Sequence, residues 1–161
     1  MTLNNQIVSW LKDWKRLAVL GIGNPLRGDD ALGLEVLNQL KGKVPENVKL
    51  FECEMVPENF LGEIELFSPT HVLMIDAAQL GAEPGSTRLL APERMAGTAV
   101  STHALPLSIL AEILRQDLEA KVALLAVQPE RSEFEEGLSP TVQKAAKQIA
   151  GAIVEVTKGK T

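Results

Sequence analysis

Residues Leu17–Asp30 read LAVLGIGNPLRGDD. Leu17–Ile22 is a short, nearly unbroken apolar run, the signature of a strand buried on both faces. Gly23–Asp30 follows as a turn-rich loop that ends in two adjacent acids, Asp29 and Asp30. Ala31–Leu40 then carries apolar residues at helical spacing, with either acid available near its N-terminus. A strand that empties into a glycine-containing loop and then a helix is the repeating unit of an α/β sheet.

The same unit recurs outward from this stretch. Val48–Cys53 reads as a second strand, after which Pro57 opens a helix bearing Leu61, Ile64 and Phe67. Val72–Ile75 (VLMI) is a third strand ending at Asp76. Ser86–Leu90 is a further short strand after the Glu83-Pro84-Gly85 turn. Ala91–Thr102 is irregular, and Leu105–Leu118 is helical, with Pro106 tolerable only in its first turn. Lys121–Val127 (KVALLAV) is a buried strand. Ser139 is placed to cap a long final helix, with Pro140 at its first position and Gly159 as its stop. Before all of these, Ile7, Trp10, Leu11 and Trp14 recur at helical spacing, which predicts a leading helix over residues 3–15 docked by its tryptophans. The alternation implies a mostly parallel sheet of about five strands with helices on both faces. One domain is expected over 1–161: a leading amphipathic helix (1–16), an α/β core (17–157) and a tail (158–161).

The 161 residues are long enough to bury a core without staples, about 69% of the unfolded chain's surface by size scaling. Hydrophobic residues make up 45% and charged residues 23%, which excludes a disordered or fibrous chain. The net charge of −5 argues against nucleic-acid or anionic-membrane binding by bulk charge. With Cys53 as the single cysteine, no intramolecular disulfide or cysteine-rich zinc site can form. No apolar run is long enough to cross a bilayer, and the N-terminal stretch lacks a signal-peptide pattern, so the expected compartment is the cytosol.

In an open parallel sheet, ligands lie beyond the carboxyl ends of the strands. Loop 23–30, Cys53 and Glu54, Asp76, and Gln128 all follow strands, and His103 enters the helix after the irregular segment, so one edge can collect them. His71 stands at the opposite end of its strand, about 16 Å from Asp76 at ~3.3 Å per residue, and is assigned a structural or solvent role. Asp30, Asp76 and His103 therefore form a candidate set of two carboxylates and one imidazole. Such a set suits a divalent transition metal such as Zn²⁺ or Ni²⁺. Singly, each also has a plain reading: a helix cap, a turn closure and a surface histidine.

Other chemistries fit less well. Gly21 and Gly23 start a dinucleotide-type turn, but Leu26 occupies the third expected glycine position and two acids stand where a phosphate would sit. No phosphate loop for ATP is present. Ser101 and Ser108 lack a nucleophile elbow. Cys53 reads as a half-buried thiol at a strand end. Arg131, Glu133, Glu135 and Glu136 read as a solvated loop.

The motifs GIGNPLRGDDALG, VPEN (Val56–Asn59), VLMIDAAQLG with Asp76, STHALPL with His103, and VQPE (Val127–Glu130), in that order, closely resemble the [NiFe] hydrogenase maturation endopeptidases. The match spans residues 17–130. The resemblance implies a three-layer α/β/α fold with a central twisted sheet. It implies metal-contacting and catalytic positions at Asp30, Asp76 and His103, with Gly23, Asn24, Asp29 and Gln128 as possible supporting residues. It implies removal of a C-terminal extension from a hydrogenase large-subunit precursor after nickel insertion, the substrate's nickel being the recognition element. It also favours a monomer. Asp30 together with Gln128-Pro129-Glu130 is more similar to the branch serving formate-hydrogenlyase-type, group 4 enzymes. The chain has no HExxH helix, so an ordinary zinc peptidase is not expected. Asp29, Asp30 and Asp76 all stand as candidates for the base that takes water's proton. Two other classes stay open: a nickel-sensing checkpoint that binds precursor without shortening it, and a nucleotide-binding module.

Overall fold

The computed structural model describes residues 1–96, 106–131 and 137–158. Five strands form one sheet in the order β2-β1-β3-β5-β4. They are β1 (Leu17–Ile22), β2 (Val48–Glu54), β3 (His71–Ala77), β4 (Thr87–Leu90) and β5 (Lys121–Val127). The first three and β5 run parallel, and β4 is antiparallel to β5 at the edge. Among the described residues, five α-helices cover the sheet: α1 (Leu3–Trp10), α2 (Leu32–Leu40), α3 (Leu61–Phe67), α4 (Leu107–Leu118) and α5 (Pro140–Thr157). The expected α/β/α architecture is therefore present.

Two apolar cores sit on the two faces, and strand periodicity assigns them. Leu17, Val19, Leu73, Ile75, Leu125 and Val127 join α1, α2 and α5 in one core. Ala18, Leu20, Val72, Met74, Leu124 and Ala126 join α3 and α4 in the other. Successive side chains on a strand point to opposite faces, so central strands covered on both sides must be apolar throughout. Gly33 lets α2 lie close to the sheet. A Cβ there would stand 2.2 Å from the carbonyl oxygen of Ile75 and 2.7 Å from the backbone nitrogen and oxygen of Ile22.

Several boundaries differ from the sequence reading, three of them for an evident local reason. The leading helix ends at Trp10 rather than near residue 15. Lys12 N–H reaches back only to Ser9, and Asp13 adopts a left-handed conformation (φ 63°), a turn that still buries Leu11 and Trp14. Gly28–Ala31 forms a 3₁₀ turn before α2, and Pro57–Phe60 another before α3. Ser139 precedes Pro140 as expected, but its hydroxyl caps no backbone N–H of α5; it donates elsewhere, as described below. The expected helix stop at Gly159 lies outside the described residues.

His71 confirms the strand-direction argument. It pairs with Leu17 at the amino end of the sheet, far from the carboxyl ends. Its ring meets Trp10 edge-on at 5.1 Å and its Nδ1 lies 2.9 Å from Thr70 Oγ1. Burial, and then the Lys121 ammonium, lowers the imidazole below its ordinary value, opposed by the backbone of Trp10 and Lys12 and by Asp13. A lowered folded-state value means that the unfolded chain takes up the proton first as pH falls. The associated stability is thus full above the ordinary histidine value near ~6.5 and declines on acidification below it. Thermal unfolding followed between pH 7.5 and 5.5 should show a steeper fall of the midpoint in the parent than in His71→Gln. Parallel curves would remove His71 as the cause.

Candidate active site

The chain passes from β1 to β2 on one side, then returns across β1 to reach β3. The carboxyl ends of β1 and β3 therefore bound a topological switch point, where the outgoing loops diverge and leave a crevice. Asp30 comes from the loop after β1, and Asp76 is the penultimate residue of β3.

Gly23 is the hinge of this arrangement. Its N–H donates to the carbonyl of Glu54 at 2.8 Å, which ties the end of β1 to the end of β2. Its φ is +142°, and a Cβ there would stand 1.8 Å from the Asp30 carbonyl oxygen and 3.6 Å from Asp76 Oδ1. The Asp30 backbone and the Asp76 carboxylate thus both approach one glycine. From Asn24 onward the loop is a series of turns. Asn24 Oδ1 accepts from Leu26 N–H (2.9 Å), the Asn24 carbonyl from Arg27 N–H (3.2 Å), and the Arg27 carbonyl from Asp30 N–H (2.9 Å). The Asn24 N–H in turn donates to Asp30 Oδ2 at 3.0 Å. Asn24 therefore shapes the loop with its side chain and orients Asp30 with its backbone.

Asp30 and Asp76 are each 1% exposed. Asp76 Oδ1 accepts from the N–H of Ala77 at 2.9 Å. Strand parity puts Asp76 on the face of Val72 and Met74, the face covered by α3 and α4. Two buried carboxylates at one crevice are oxygen donors suited to a divalent cation, and they form an incomplete set that needs further ligands. Among the described residues, no group of three or more His, Cys, Asp or Glu side chains is arranged to hold a metal ion. The third expected ligand, His103, lies outside the described residues; it stands four positions before Leu107, the first residue of α4.

Asp29 points away from this pair. Its Oδ2 accepts from the N–H groups of Glu130 (2.8 Å) and Arg131 (2.9 Å) and from Ser139 Oγ (2.8 Å), and its Oδ1 accepts from Ser139 N–H (2.7 Å). Four donors occupy a carboxylate with no solvent exposure. This explains why the Ser139 hydroxyl does not cap α5. The lone pairs of such a carboxylate are already taken by these donors.

Gln128 is also a brace. Its Oε1 accepts from Leu80 N–H at 2.7 Å, and its Nε2 donates to Gln79 Oε1 (3.0 Å) and the Pro129 carbonyl (3.3 Å). It links the chain after β5 to the chain after β3, just beyond Asp76. Cys53 is buried, and its thiol is pushed up to about 12 by that burial, with Glu63 and Glu58 adding to the effect. It stays protonated at neutral pH and offers no nucleophile. Sequence reasoning missed the Ser139 donor and the two backbone donors at Glu130 and Arg131. Their partner is about a hundred residues away in the chain, and no local pattern announces it.

Around the crevice, Leu26, Met55 and Val56 expose apolar side chains on the loops after β1 and β2. An open groove lined by Pro25, Ala31, Leu34, Leu138 and Gln143 lies beside the Asp30 loop. Among the described residues, no helix is long and apolar enough to cross a membrane.

Comparison with known proteins agrees with the fold. The family profile described as "Hydrogenase maturation protease" matches residues 34–156. A Methanocaldococcus jannaschii protein, provisionally named as a hydrogenase maturation protease, is 30% identical over 162 residues, covering 96% of this chain and 95% of its own. The hydrogenase 3 maturation protease of Escherichia coli is 27% identical over 132 residues, covering 81% and 84%. The crystal structure of a [NiFe] hydrogenase maturation protease from Thermococcus kodakarensis superposes with a TM-score of 0.87 at 34% identity, covering 96% of this chain and 99% of that one. By sequence and by fold alike, this chain belongs to the hydrogenase maturation protease family.

Proposed function

We propose that the chain is an endopeptidase that removes the C-terminal extension of a [NiFe] hydrogenase large-subunit precursor once nickel has been inserted, recognising the nickel itself. One observation carries this reading: Asp30 and Asp76 are both buried at the switch point of the sheet, where the Asp30 carbonyl and Asp76 Oδ1 both approach Gly23. Together with His103, they would complete the coordination of nickel that arrives with the substrate. Holding the metal there orients the scissile peptide beside the carboxylates. The metal polarises the peptide carbonyl or a water. The water oxygen forms a bond to the carbonyl carbon, the C–N bond breaks, and a carboxylate passes water's proton to the leaving amine. Asp29 is committed to four donors, which leaves Asp30 or Asp76 as the base. The exposed Leu26, Met55 and Val56 and the neighbouring groove suit a polypeptide substrate better than a small metabolite. The chain acts as a monomer in the cytosol on a precursor of the formate-hydrogenlyase, group 4 type.

The test is incubation with a large-subunit precursor in nickel-loaded and nickel-free form, with the products weighed by mass spectrometry. Loss of a C-terminal peptide from the loaded form alone is expected. Cleavage of both forms would discard the nickel gate and keep the protease. Binding of an authenticated loaded precursor without shortening would replace the protease with a checkpoint.

A further inference from the structure

We infer that Asp29 is a positioning residue for the reaction, holding Asp30 in register with Asp76 by fastening the Gly28–Ala31 turn to two distant segments of the chain. The inference rests on the function proposed above and adds a residue to it.

The fastening is two-sided. Asp29 N–H donates to the Arg131 carbonyl at 3.0 Å, while the Asp29 carboxylate accepts from the Glu130 and Arg131 N–H groups. The turn and the loop after β5 are thus joined by donors running both ways. The same carboxylate accepts the N–H and hydroxyl of Ser139, directly before α5. Its negative charge lies at the amino end of an 18-residue helix, where the helix dipole favours an anion. Ser139 has no side-chain bond to its own helix, so its hydroxyl is spent wholly on Asp29.

Asp30 is the next residue in that turn. Two of its bonds stay within the loop: its N–H to the Arg27 carbonyl and its Oδ2 to the Asn24 N–H. Asp29 reaches beyond the loop, to the segment after β5 and to the residue directly before α5. The Asp30 carbonyl already stands against Gly23, and Asp76 Oδ1 is beside the same glycine. A small rotation of the turn therefore changes the relation of the two acids. Displacements of about 1 Å at a reacting centre cost about a hundredfold in rate.

The experiment compares the parent with Asp29→Asn and Ser139→Ala, well below their unfolding midpoints. Asp29→Asn keeps the shape but places an amide NH₂ among donors; Ser139→Ala removes one donor of the four and leaves the carboxylate. Two quantities are read: hydrogen exchange of the Asn24 amide, which reports on the Asp30 carboxylate it bonds, and the rate of processing of nickel-loaded precursor. In Asp29→Asn, Asn24 exchange should speed up about tenfold or more relative to amides in β5, and kcat should fall about tenfold or more with circular dichroism unchanged. Ser139→Ala should shift both in the same direction by a smaller factor, and it carries the test if Asp29→Asn does not fold. A residue that is merely structural would lower the unfolding midpoint without changing Asn24 exchange or the rate per folded molecule; that result would overturn the inference. If the parent itself fails to process authenticated precursor, the proposed function falls, and the Asn24 exchange alone still decides whether Asp29 holds Asp30.

Discussion

Asp76→Asn should lose processing of nickel-loaded precursor by about a thousandfold, about 4 kcal/mol of transition-state stabilisation, while the protein stays folded. The substitution conserves shape. The amide oxygen of asparagine can still accept the Ala77 N–H that Asp76 Oδ1 accepts at 2.9 Å. What is lost is a negative charge in a site with 1% exposure. A neutral amide binds a divalent cation poorly and takes no proton from water, so either role assigned to Asp76 ends. Stability should move the other way. Burying a carboxylate costs folding free energy through desolvation, and active sites commonly give up stability for such groups. The thermal midpoint of the variant should therefore equal or exceed that of the parent. Processing at the parental rate would end the role of Asp76. A lowered midpoint with proportionate loss of activity would mark it as a residue of the fold instead.

The parts of the molecule readable from sequence are those whose causes are local. Leu17–Ile22 and Lys121–Val127 read as buried strands because both faces of the sheet are covered, and covered faces demand apolar residues at every position. Asp30 and Asp76 were separable from His71 because a parallel strand has a direction, and that direction alone places a residue at one edge or the other. The causes of the remaining features are distant in sequence. Ser139 before Pro140 has the form of a helix cap, yet its hydroxyl serves a carboxylate 110 positions earlier. Asp29 and Asp30 are adjacent acids with equal claims on paper, and the tertiary donors at Glu130, Arg131 and Ser139, all of which go to Asp29, distinguish them. The leading helix is cut at Trp10 because the chain must turn at Asp13 to bring Trp14 into the core, a requirement that spacing does not express.

Gly23→Ala should abolish processing at least a hundredfold while the sheet still forms, because the site is built against the bare Cα of that glycine. The added Cβ would stand 1.8 Å from the Asp30 carbonyl oxygen, where contacts under 3.0 Å essentially never occur. The obstacle is backbone, so no side-chain rotation relieves it, and either the Gly23–Asn24 segment or the Asp30 turn must move by about 1 Å or more. The +142° φ adds a conformational penalty of about 1–3 kcal/mol for any residue with a Cβ. Both costs fall on a loop beyond the carboxyl end of β1, outside the two apolar cores, so the variant should fold with a lowered midpoint. Gly42→Ala is the matched control. It has a φ of +76° but nothing within 4 Å of its Cβ position, so it bears a backbone penalty without any approach to the site. Measured by mass spectrometry on loaded precursor, Gly42→Ala should process normally and Gly23→Ala should not. If both process normally, the loop can reshape without separating Asp30 from Asp76, and the close packing of the two acids on Gly23 is not what the reaction requires. If both fail, the defect is a general sensitivity to loop strain, and the argument from the 1.8 Å approach is lost.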